Sequence, residues 1–228
     1  MPRPAIGSPW ADVGHAPPFI IGHRANSTRE IAGFLEAGVD FIEMDLWVHH
    51  GRFESRHERA LYPLPLLFER WYLRMRSPRF DLTETAAAVD GRAHLFLDLK
   101  NGRKGVIPLI RATLRRFPGL HISASSSDWP TLRVLYDNLD DVDVFYSMAV
   151  PERLDLFLSV IERDTRPVGL SCRATLLTPA IIERMHALGL RVVAWTVDER
   201  DQARRLASWG VDAITTHKPA EIREALGS

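Results

Sequence analysis

Short apolar runs recur along the chain and alternate with amphipathic stretches of helical period. The runs are Phe19–Arg24, Phe41–Leu46, Leu95–Lys100, His121–Ser125, Val142–Ser147, Pro167–Ser171, Arg191–Val197 and Ala213–Thr216, eight in all. Each reads as a strand. Between them fall helical patterns with readable ends. "STREIAGFLEAG" has Ser27 and Thr28 as candidate caps and closes at Gly38. "GVIPLIRATLRRF" carries apolar residues at helical spacing and stops before Pro118. "DWPTLRVLYDNL" has Asp128 as cap and Pro130 in its first turn. "TPAIIERMHALG" starts at Thr178 and Pro179 and ends at Gly189, and "DERDQARRLASWG" repeats the pattern up to Gly210. Strands that mostly alternate with helices predict an α/β fold, a (β/α)8 TIM barrel filling residues 1–228 as a single domain. A doubly wound open sheet shares this pattern, because periodicity does not show closure.

The alternation breaks between Trp47 and Asp90. "WVHHGRFESRHER" reads as a hairpin arm turning at Gly51. "ALYPLPLLFERWYLRMRSPRF" follows, rich in apolar, aromatic and arginine residues and longer than an ordinary barrel loop. Two readings stand: a helix packed on the barrel mouth, or a lid or lipid-interface element carrying Leu66, Leu67, Phe68, Trp71 and Tyr72. On the second reading, residues 61–75 make transient contact with a membrane surface.

Three of the apolar runs end in charged or titratable side chains. "FIIGHR" ends in His23 and Arg24, "VDFIEMDL" carries Glu43 and Asp45, and "AHLFLDLK" ends in Asp98 and Lys100. A parallel barrel presents its chemistry at the carboxyl ends of its strands. Residues two apart in a strand share a face, so Glu43 and Asp45 can converge on one hard cation, with Asp98 as a third carboxylate. Oxygen ligands of this kind suit Mg2+ or Ca2+ better than Zn2+. His23 and His57 are candidate general acid and base, since imidazole titrates near neutrality. His49 and His50 compete with His57, whose loop position is not readable from pattern. Arg24 and Lys100 can neutralise phosphate oxygens, although Lys100 also fits an ion pair with Asp98 or Glu43. Trp195 reads either as core or as the wall of a substrate pocket, and His217 as a surface residue or the edge of the site.

Composition narrows the partners. The formal net charge is zero over 228 residues, which gives no bulk electrostatic case for nucleic acid. Cys172 is the lone cysteine, so no internal disulfide forms. The N-terminus lacks the apolar core of a signal peptide, and no stretch approaches the ~18 apolar residues of a membrane span. A cytoplasmic location is the expectation.

The motifs together resemble the glycerophosphodiester phosphodiesterase superfamily, which includes the sphingomyelinase D and phospholipase D toxins. "GHR" resembles its opening His-Arg motif, "VDFIEMDL" its E-x-D metal motif, and "SRHE" its His-Asp motif with Glu58 in place of Asp. "LFLDLK" resembles its E-x-K motif with Asp98 in place of Glu. "SASSSDWPTLRVL" is similar to its serine-rich segment, and "VVAWTVDERDQARRLASWGVDAITTHKP" to its C-terminal signature. The resemblance spans about residues 19–220. The P-E-N-T that usually follows His-Arg is replaced by "ANSTREI", and the short gap from His23 to Glu43, with Asn26 and Asp98, is closer to the sphingomyelinase D branch. Arg24 is closer to the glycerophosphodiesterase branch.

The resemblance implies a Mg2+- or Ca2+-dependent phosphodiesterase acting on glycerophosphodiesters or the head groups of (lyso)phospholipids. In it the metal ligands are Glu43, Asp45 and Asp98, phosphate meets Arg24 and Lys100, and Asn26 and Trp195 line the substrate pocket. His23 is nucleophile or base and His57 protonates the leaving alcohol, with the two roles reversible; a neighbouring substrate hydroxyl can give a cyclic phosphate. Three other readings remain: a sphingomyelinase D-like phospholipase D, a non-catalytic phospholipid-binding barrel, and a Schiff-base aldolase using Lys100.

Overall fold

The strands form where apolar residues run without interruption, and the computed structural model closes them into a ring. It describes residues 4–5, 7–11, 17–61, 64, 66–69, 72–75, 80–101, 105–163 and 167–227. In chain order the first half holds β1 (Phe19–Gly22), α1 (Thr28–Glu36), β2 (Phe41–His49), β3 (Arg52–Ser55), β4 (Arg59–Leu61), β5 (Leu66–Glu69), β6 (Tyr72–Met75), α2 (Leu82–Val89), β7 (His94–Leu99) and α3 (Val106–Arg116). The second half holds β8 (Ile122–Ser126), α4 (Trp129–Tyr136), β9 (Val142–Met148), α5 (Pro151–Val160), β10 (Gly169–Arg173), α6 (Pro179–Ala187), β11 (Arg191–Trp195), α7 (Arg200–Ser208), β12 (Ala213–Thr216) and α8 (Pro219–Leu226).

β1, β2 and β7 to β12 are parallel neighbours, and β1 pairs with both β12 and β2. That double pairing closes the barrel and excludes the open sheet. β2 outruns the barrel and carries β3 antiparallel, with Trp47 opposite Glu54 and His49 opposite Arg52. The hairpin predicted at Gly51 is present, and Gly51 has a φ of +72°. The segment beyond it is a correction to the helical reading: β4, β5 and β6 form a separate antiparallel sheet. Trp71 lies outside the described residues. The arm leaves at Ser55 and returns at Phe80, where the Ser55 N–H donates to the Phe80 carbonyl at 2.9 Å.

Three helices did not emerge from the pattern: α2, α5 and α8. α2 supplies the crossover missing between the second and third barrel strands. Its start is a reciprocal cap in which the Asp81 carboxylate accepts the Glu84 N–H and Glu84 accepts the Asp81 N–H. α1 begins at Ser27 as expected, whose hydroxyl accepts the Glu30 N–H at 3.3 Å. The α1 side chain Phe34 packs against Gly22, where a Cβ would come within 2.6 Å of its ring. Only glycine allows that approach directly before His23.

Side chains alternate across each strand, giving one core between strands and helices and another inside the barrel. Trp10, fully buried, plugs the inner core from the N-terminal segment. It stacks on Phe41 at 4.8 Å and meets Phe145 at 4.9 Å, and its indole N–H donates to the Ser123 hydroxyl at 2.8 Å. Asp143 fastens the same segment, accepting from the Ala5 N–H at 2.8 Å and from the Ser8 hydroxyl. With this end filled by aromatic rings, the opposite, C-terminal end of the barrel is left for chemistry.

Candidate active site

β1 stops at Gly22, two residues short of the predicted end, so His23 and Arg24 lie in the turn after it. The His23 N–H still donates to the Thr216 carbonyl at 2.9 Å, which holds it against β12. Arg24 has a φ of +62°, the left-handed region that costs a non-glycine residue about 1–3 kcal/mol. In that conformation its N–H donates to Glu43 Oε2 at 2.7 Å, while the Ala25 N–H donates to the Glu43 carbonyl at 2.9 Å. The β1 turn is thus tied to the acidic residue of β2 by both side chain and backbone.

On β2, Ile42, Met44 and Leu46 face the helices and Phe41, Glu43 and Asp45 face inward. Phe41 belongs to the inner core, and the two carboxylates stand above it. Asp98 on β7 is the register partner of Asp45. Oxygen atoms of Glu43, Asp45 and Asp98 all lie within 4.8 Å of one another. Lys100, just past β7, reaches back: its Nζ is 2.7 Å from Asp45 Oδ1 and also donates to Asp98.

These groups line a pocket of about 240 Å3 together with His23, Arg24, His57 and Trp195. Eight of the nine predicted site residues therefore share one cavity. The ninth, Asn26, is not among the residues lining that cavity. Its side-chain oxygen accepts from the Ser55 hydroxyl, tying the β1 turn to the base of the arm. His49 lies outside the pocket with its Nδ1 3.4 Å from Glu54, and His50 occupies the exposed hairpin turn, so neither displaces His57.

Several pocket residues were missed. Ser125, Ser147, Ser171 and Thr215, from β8, β9, β10 and β12, contribute hydroxyls to its wall, with Ser127 and Thr196 in the loops. A small hydroxyl residue near the end of an apolar strand was the signal available for the first four. Asp198 was also missed. Its carboxylate accepts the backbone N–H of His217 at 2.8 Å and lies 2.9 Å from His217 Nδ1, and the His217 ring is 4.5 Å from that of His23. His217 is exposed and outside the wall of this pocket, yet its ring meets that of His23, so both of its readings hold in part.

The electrostatics follow from burial. Burial, then His217, Arg24 and Lys100, pushes the His23 imidazole down to about 2, against the opposing pull of Asp198. Burial, then Asp45 and Asp98, raises the Glu43 carboxyl well above its ordinary value, against Lys100 and the Arg24 N–H. Asp98 is raised by burial and Asp45, with Lys100 opposing. For Lys100 burial favours the neutral amine, but Asp98 and Asp45 outweigh it and hold the ammonium charged.

A divalent cation fits this donor set. Crowded carboxylates resist ionisation without a compensating charge. Asp45 Oδ2 is buried and has no hydrogen-bond partner among the described residues. Ligands on opposite sides of Mg2+ or Ca2+ are about 4–5 Å apart, twice the metal–oxygen distance, which matches the observed spread of oxygens. Glu43, Asp45 and Asp98 are the residues that would hold it.

Fold and site define a parallel eight-stranded barrel with carboxylates, histidines and cationic side chains in one mouth. Residues 123–221 match the model of the glycerophosphoryl diester phosphodiesterase family, and over that segment the resemblance drawn from the motifs is borne out. That segment contains Ser125, Ser147, Ser171, Trp195 and Thr215 of the pocket; the three carboxylates, His23 and His57 lie outside it. Many solved structures share the fold, and three illustrate it. An Oleispira antarctica phosphodiesterase in complex with the product sn-glycerol-3-phosphate is 16% identical, with a TM-score of 0.75 over 93% of this chain and 98% of that one. A glycerophosphodiester phosphodiesterase from Parabacteroides distasonis is 18% identical, with a TM-score of 0.72 over 94% and 98%. One from Thermotoga maritima is 17% identical, with a TM-score of 0.71 over 92% and 99%. No curated protein sequence matches the chain.

Proposed function

We propose that this protein is a divalent-cation-dependent phosphodiesterase acting on small glycerophosphodiesters or lysophospholipids, with the acid and base work divided between His23 and His57. The observation that carries this reading is the convergence of Glu43, Asp45 and Asp98 in the same pocket as both histidines. When bound, the cation supplies positive charge to non-bridging phosphate oxygens. Arg24 and Lys100 add charge from the chain itself, and such fixed electrostatic stabilisation is the main demand of phosphoryl transfer.

In this reading His23 accepts a proton from the attacking hydroxyl, either water or a neighbouring hydroxyl of the substrate; burial and the nearby positive groups disfavour its protonation, and the anionic phosphate of a bound diester offsets them. As that oxygen forms its bond to phosphorus, the bond to the leaving alcohol breaks and His57 donates a proton to the departing oxygen. Internal attack leaves a cyclic phosphate and the free alcohol; attack by water leaves a phosphomonoester. The aldolase alternative is disfavoured, because a lysine held charged between two carboxylates is a poor amine nucleophile. The Oleispira neighbour is in complex with sn-glycerol-3-phosphate, and the small pocket of this chain, with its hydroxyl-bearing wall, supports a small polar substrate of that class.

Phosphorus NMR with sn-glycero-3-phosphocholine and lysophosphatidylcholine, in Mg2+ or Ca2+, tests the reading. The expected result is cation-dependent conversion, abolished by chelator and cut at least ~100-fold by His23→Ala or His57→Ala in folded protein. Release of choline only from lysophosphatidylcholine would favour the phospholipase D-like alternative. Full turnover in either folded histidine variant removes that residue from the mechanism, and no turnover of any diester leaves the non-catalytic phospholipid-binding reading.

A further inference from the structure

Exposed large apolar side chains are concentrated at one place on this molecule. Six occur among the described residues, and four of them, Leu61, Leu64, Leu73 and Met75, belong to the β4–β6 arm. Leu73 and Met75 are 62% and 65% exposed and alternate along β6, so they share one face. A fifth, Val150, follows β9 at the same, C-terminal end of the barrel. Apolar groups gathered at a catalytic rim call for a partner surface.

The charge of the arm identifies that partner. The sequence of residues 59–79 contains five arginines and a single glutamate, a local excess of positive charge in a chain whose 29 basic and 29 acidic residues balance as a whole. An apolar surface with a local positive excess is complementary to an anionic lipid bilayer: the apolar side chains enter the acyl boundary while arginines meet lipid phosphates. The arm also starts at the chemistry. His57 lines the catalytic pocket, β4 begins two residues later, and the arm is closed at its base by the Ser55–Phe80 backbone bond.

We propose that the β4–β6 arm is a docking element for anionic lipid bilayers, seating the barrel mouth against a membrane from which it draws phosphodiester substrate. The substrate half of this statement rests on the phosphodiesterase reading; the docking half does not. Each arginine brought to an anionic surface contributes roughly fivefold in partition, so several together with the leucines suffice for reversible attachment.

Flotation of the whole chain with vesicles tests it, using phosphatidylcholine alone or mixed with phosphatidylglycerol. The expected result is at least ~tenfold stronger partition to the anionic vesicles, weakened by salt. The double substitution Leu73→Ser with Met75→Ser lowers that partition at least ~tenfold and leaves turnover of soluble sn-glycero-3-phosphocholine at the parent level. Both positions are exposed, so the variant folds. Equal partition of parent and variant, or no preference for anionic vesicles, overturns the proposal. A dimer that the double variant dissociates, with no vesicle partition by the parent, also overturns it and assigns the face to a second copy. Flotation needs no turnover, so an inactive parent that still partitions refutes the phosphodiesterase reading and leaves docking standing.

Discussion

Replacing Lys100 with methionine separates two roles that the site combines. The side chain keeps its length and loses a charge whose Nζ lies 2.7 Å from Asp45 Oδ1 and contacts Asp98. Breaking a buried ion pair from one side costs about 3–5 kcal/mol. The lower end applies here, because the side chains of Lys100 and Asp98 are 22% and 25% exposed and Arg24 Nε remains 3.8 Å from Asp45. About 3 kcal/mol in a chain of this size lowers Tm by roughly 6–12 °C. A divalent cation at about 100 times its Kd returns about 2.7 kcal/mol, nearly the whole loss. The parent gains less, because the ammonium already neutralises two of the ligands. Differential scanning fluorimetry across a Mg2+ and Ca2+ titration should therefore show a larger cation-induced rise in Lys100→Met than in the parent. Turnover of the variant should stay at least ~100-fold down at saturating cation, since the phosphate has lost a fixed charge. Unchanged Tm without cation, or equal cation-induced rises in both proteins, would refute the argument that Lys100 and the cation share these carboxylates.

Two further expectations concern parts remote from the chemistry. Trp10→Ala removes the aromatic plug and leaves the Ser123 hydroxyl without its indole donor, which costs about 3–5 kcal/mol and lowers Tm by roughly 6–20 °C in a thermal melt. Cys172 is buried, and burial pushes its thiol up to about 12 against the pull of Arg173. The native thiol stays protonated at pH 8, so a thiol reagent should label it only after unfolding. The folded group binds its proton more tightly than the unfolded one, so its contribution is fully present below about pH 9. It is lost as pH rises from there toward 12, at up to about 1.4 kcal/mol per pH unit, which denaturant melts of the parent and Cys172→Ala would resolve.

The barrel was legible because parallel strands buried on both faces leave uninterrupted apolar runs, and the abrupt charges at Glu43, Asp45, Asp98 and Lys100 marked their chemical ends. The arm was not, since β4, β5 and β6 have three or four residues each, too few for alternation to show. α2 escaped notice behind that arm, although Asp81 and Glu84 stand at the spacing of a reciprocal cap. The pairing of His217 with Asp198 joins two loops 19 residues apart, a relation that the parallel pairing of β11 with β12 creates. Asn26 fits a family motif, yet its amide oxygen is engaged by Ser55, a contact that no local pattern encodes. Trp10 sits in a segment without periodicity, and its place inside the barrel follows from the space that Phe41 and Phe145 leave between them.

The central claim is that three carboxylates from two neighbouring strands gather one divalent ion beside paired imidazoles. Calorimetric titration of Mg2+ and Ca2+ into metal-free protein, repeated with Glu43→Gln and Asp98→Asn, measures this directly. The account predicts a single ion per chain, with affinity reduced at least ~tenfold in each variant and chelator-sensitive turnover in the parent. Undiminished binding by both variants, or full turnover in chelator by a parent that binds no ion, would contradict it.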